Sequence, residues 1–88
     1  MKRKKAVALK YNKDYKAPVV TAIGFGEIAE RILNKAKEND IPIVEDTVLV
    51  DKLSKVEPSS PIPEELYEAV ARIIAFIYSL DEKYKNKE

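Results

Sequence analysis

The residues of this chain whose types and spacing could do chemistry are Gly24, Gly26 and Ala29, in the pattern Gly-x-Gly-x-x-Ala. Between an apolar run and a helix, that spacing is the dinucleotide fingerprint. The glycines let the backbone turn tightly and approach a pyrophosphate, which the helix N-terminus then holds. Glu45 or Asp46 stands about 20 residues further on, where a carboxylate would accept a ribose hydroxyl. This reading gives a small nucleotide-binding module using the Gly24-Phe25-Gly26 turn. Two features oppose it. The chain has room for one such crossover, so no second unit forms a crevice at a strand-order switch point. Glu27 occupies the first helical turn with no Lys, Ser or Thr nearby, and a carboxylate there suits the helix dipole but repels a phosphate. The other reading assigns both glycines to a tight turn and to close helix–sheet packing.

Other chemistry is narrowed by composition. The 88 residues contain no cysteine and no histidine, so a disulfide framework, a thiolate metal site and the usual neutral-pH acid–base group are all excluded. No cofactor and no metal site is expected, and the chain reads as non-enzymatic. Sixteen Lys and Arg against fifteen Asp and Glu leave a net charge of +1, which argues against a dedicated nucleic-acid binder. No apolar run approaches the roughly 18 residues of a membrane span, and residues 1–5 lack the apolar core of a signal peptide. A cytoplasmic protein follows, with one thin core and a function carried on its surface.

The elements that position these residues can be read in order. Residues 1–5 form a basic, solvating tail, and residues 83–88 a frayed end; residues 6–82 make one domain. Residues 6–11 alternate as a strand, Val7, Leu9 and Tyr11 on one face and Ala6, Ala8 and Lys10 on the other, the alanines suiting a closely applied helix. Pro18 leads into a second strand of Val19, Val20, Ala22 and Ile23. The first two strands either pair directly or leave a place between them. Ile28, Ala29, Ile32, Leu33 and Ala36 then recur on one helical face, and Ile41, Pro42, Ile43 and Val44 read as the next strand. A helix between two apolar runs is a βαβ crossover with parallel strands. Asp46 or Thr47 caps a short helix containing Leu49, Val50 and Leu53, although Val48 and Val50 leave a strand continuation open. The proline-rich residues 57–63 form an extended loop, and Pro63 opens the last helix. The expected class is α/β: a small mixed sheet of about three strands with one βαβ crossover, wrapped by about three helices.

The last helix carries more apolar surface than one seam needs. Leu66, Val70, Ile73, Ile77 and Leu80, flanked by Ala69 and Phe76, form the stripe expected to face the core, while Tyr67, Ala71, Ile74 and Tyr78 make a second ridge beside it. That ridge either packs on the proline-rich loop or the first strand, or lines a groove for a partner.

In this order, AVALKY, APVV, GFGEIAERI, IPIVED and PEELYEAVA resemble the cytoplasmic C-terminal domain of the FlhB/YscU family, the substrate-specificity switch proteins of flagellar and type III export. The resemblance covers about residues 6–80. It implies a non-enzymatic component of the export apparatus that contributes to substrate recognition or specificity switching. Its partners would be export substrates, their chaperones and other export-gate proteins, and it would work at the inner face of the membrane-bound gate. Family members carry a transmembrane half and an Asn-Pro-Thr-His autocleavage motif before the first strand. Here those four positions read Met1, Lys2, Arg3 and Lys4, so a free-standing homologue without self-cleavage is expected. In the family's Pro-Leu-Ala-Arg segment, Val48 replaces the proline and Asp51 the arginine. The resemblance also implies that a hydrophobic export signal is recognised between the Ala-Pro strand opening and the last helix. The matching positions are Ala17, Pro18, Ala71 and Ile74, the last two on the second ridge with Tyr67 and Tyr78.

Overall fold

A computed structural model describes residues 4–85 of the chain. The elements run β1 (Lys5–Lys10), β2 (Val19–Phe25), α1 (Glu27–Glu38), α2 (Thr47–Leu53), a single 3-10 turn (Glu64–Leu66) and α3 (Tyr67–Lys85). β1 and β2 pair directly and antiparallel, Ala6 opposite Gly24 and Ala8 opposite Ala22. The ladder shifts between Ala8 and Leu9, which lies opposite Val20, so Thr21 has no opposing residue. Thr21 instead donates its hydroxyl to the Ala8 carbonyl at 3.2 Å. This bulge has a structural consequence, because an extra residue turns every later side chain to the other face. Val20 therefore joins Val7 and Ile23 on one face, while Ala6, Ala8, Ala22 and Gly24 share the opposite one.

The small-residue face receives α1. A Cβ on Gly24 would stand 2.7 Å from Ile28 Cγ2 and 2.8 Å from Ile32 Cδ1, so the helix rests where only glycine leaves room. Gly26 makes the turn into α1 with φ 58° and ψ −124°, a region closed to side chains with a Cβ. The other face carries the core, in which Val20, Leu49, Leu53, Ile62, Leu66 and Val70 are buried against one another. Val20 is 0% and Val70 1% exposed, and complete burial of each is worth about 1.5–3 kcal/mol. The sheet is thus sandwiched between α1 and a layer made by α2, residues 56–62 and α3.

The α/β class and the three helices agree with expectation, but the third strand and the βαβ crossover do not form. Residues 41–46 form no strand and have no ladder partner. The chain leaves α1 through a Schellman turn: Asp40 takes φ 55°, and the Ile41 amide donates to the Ala36 carbonyl at 2.9 Å. Pro42 has no amide hydrogen, and Asp46 is committed to α2, accepting the Leu49 amide at 2.9 Å. The outer edge of β2 is taken instead by the proline-rich connection. Ser59 donates to the Val20 carbonyl at 2.6 Å, Val20 to Ser60 at 2.9 Å and Ile62 to Pro18 at 3.0 Å.

The chain ends also differ from expectation. β1 begins at Lys5, the Lys4 carbonyl accepts the Gly26 amide at 2.7 Å, and Lys4 Nζ pairs with Glu30 at 3.1 Å, so these two lysines belong to the folded body. The remainder of the expected tail, residues 1–3, and with it most of the replaced cleavage motif, lies outside the described residues. At the other end α3 continues through Lys85, past the expected limit, and residues 86–88 lie outside the described residues.

Candidate functional site

Pro18 is buried just ahead of β2, its carbonyl held by Ile62, and Ala17 is 6% exposed within the core cluster. Neither offers an open surface. They form instead the covered base beneath the region where α3 passes, and the accessible part of the expected patch is carried by α3 alone.

On α3, Tyr67, Ala71, Ile74 and Tyr78 follow one another at helical spacings of four, three and four residues, a ridge of roughly 16 Å at 1.5 Å per residue. Ala71 is exposed, Tyr67 is 41% and Tyr78 56% exposed, and Ile74 is half-buried against the cluster that contains Ala17 and Val70. The ridge is therefore divided in its cover. Ile74 anchors it to the core, and the other three face outward. Between the two tyrosines stands the small, exposed Ala71, with the aliphatic Ile74 beside it. Among the described side chains of α3, Arg72 and Glu68 form an exposed ion pair at 2.7 Å.

The stripe expected to be core ends sooner than its periodicity. Leu66 and Val70 are buried and Ile73 packs on the cluster, whereas Phe76 is 59% and Leu80 41% exposed. Spacing alone predicts both in the interior. Their exposure arises because the 19-residue α3, about 28 Å long, outruns the layer beneath it. No pattern within the helix marks where that layer stops.

The glycine motif has structural work that accounts for it. The space left by the absent Cβ of Gly24 is filled by Ile28 and Ile32, and the Gly26 amide bonds to Lys4. Glu27 and Glu30 stand in the first turn of α1, and the Asp46 side chain caps α2. The arrangement thus serves packing and turn formation, and nothing in it favours the nucleotide reading. Among the described residues, no group of three or more His, Cys, Asp or Glu could hold a metal ion. No helix of the described residues is long and apolar enough to cross a membrane.

Comparison with known proteins gives a consistent set of relatives. Residues 3–77 match the model of the FlhB HrpN YscU SpaS family. The chain is 48% identical over 86 residues to YlqH of Bacillus subtilis (strain 168), covering 97% of itself and 92% of that protein. It is 39% identical over 84 residues to the flagellar biosynthetic protein FlhB of Helicobacter pylori, covering 94% of itself but only 24% of FlhB. Among solved structures, the PscU C-terminal domain superimposes with a TM-score of 0.79 at 24% identity, over 83% of this chain and 95% of that one. A mutated EscU C-terminal domain gives 0.79 at 29% identity, over 84% and 92%. The bulged strand pair with its flanking helices is therefore the fold of these C-terminal domains.

Proposed function

Since the chain belongs to the FlhB HrpN YscU SpaS family, we propose that it is a non-enzymatic component of a flagellar or type III protein export apparatus, contributing to export-substrate recognition or specificity switching. The observation that carries this reading is the extent of the match: residues 3–77 of an 88-residue chain, almost the whole domain. In this reading the protein is cytoplasmic and reaches the inner face of the export gate through its partners, which are gate proteins and export substrates or their chaperones.

Recognition is assigned to the Tyr67, Ala71, Ile74 and Tyr78 ridge, above the buried Ala17 and Pro18. An apolar anchor from an export signal settles beside Ala71, with Ile74 as its wall. If the anchor buries about 100 Å² of apolar surface, it gains roughly 2.5 kcal/mol before ordering costs. Binding of that strength is weak and quickly reversed. Such reversibility suits a component that must release what it recognises.

The test is an NMR titration of the isotope-labelled protein with N-terminal segments of early export substrates, and with segments of matched composition from unrelated proteins. Export segments should shift the amides of Tyr67, Ala71 and Ile74 at sub-millimolar to millimolar concentrations, and the matched segments should not. Equal responses to both sets would remove the support for a recognition role.

A further inference from the structure

We draw no further inference here: the strongest candidate, the exposed apolar surface patch of Ile41, Ile43, Val44 and Val48 where the chain passes from α1 to α2, carries nothing because nothing in the structure shows what covers it.

Discussion

Replacing Ala71 by aspartate tests whether the α3 ridge binds or merely packs, because Ala71 is the exposed small residue at its centre. The folding cost can be bounded. Alanine to aspartate within a helix loses about 0.7 kcal/mol of propensity, and a like charge three residues from Glu68 adds about 0.2–0.5 kcal/mol. The sum, near 1 kcal/mol, lowers the melting temperature of a domain this size by roughly 4–8 °C and leaves it folded. Binding suffers more. A carboxylate at this position removes the roughly 2.5 kcal/mol estimated for the anchor, on the order of 50- to 100-fold in affinity, before its own desolvation is counted. Circular dichroism and fluorescence anisotropy with a labelled export-signal peptide read the two effects separately, and Ala71→Gln serves as the uncharged control. Ile74→Asp is the contrasting perturbation. Ile74 is half-buried against the core cluster, so the variant forfeits about half of the 1.5–3 kcal/mol of a buried isoleucine and sets a charge at the cluster's edge. It should lose about 2–3 kcal/mol of stability and is no clean probe of binding. A folded Ala71→Asp protein that binds the peptide as before refutes the ridge as the docking surface; one that unfolds shows the ridge to be core.

Three further outcomes follow from local geometry. Gly24→Ala places a Cβ 3.0 Å from the Ala29 amide nitrogen and closer still to Ile28, so α1 must shift outward; chemical denaturation should show a loss of about 1–2 kcal/mol, and an unchanged midpoint would contradict the close packing. Asp46→Ala removes the side-chain acceptor of the Leu49 amide and should cost about 1 kcal/mol, with faster amide exchange confined to the first turn of α2. Asp40→Gly relieves a left-handed non-glycine residue at the end of α1 and should stabilise the domain by about 0.5–1 kcal/mol in the same denaturation assay.

The parts of this fold that were legible in the sequence are those that a residue's own backbone or side chain dictates. Two glycines around Phe25 announced a turn and a close approach, and both are present, one as a positive φ and the other as a contact that excludes a Cβ. The alternation of alanines in β1 announced the face that α1 covers. Pairing is different, because a ladder needs a free edge that lies elsewhere in the chain. Residues 41–46 have the β-branched composition of a strand, yet the edge of β2 is filled by Ser59, Ser60 and Ile62, in a segment whose prolines argued only for extension. The candidate site divides along the same line. Helical spacing placed Tyr67, Ala71, Ile74 and Tyr78 on one ridge, since 100° per residue is a local property. Which of them is covered depends on where the layer beneath α3 ends, and that is set by the path of residues 56–62. The same cause buries Ala17 and Pro18 and leaves Phe76 in solvent. Ile74, held against the core cluster, and Ala71, exposed three residues before it, therefore differ in cover although one spacing rule places them on the same ridge, and that difference is what the two aspartate variants read.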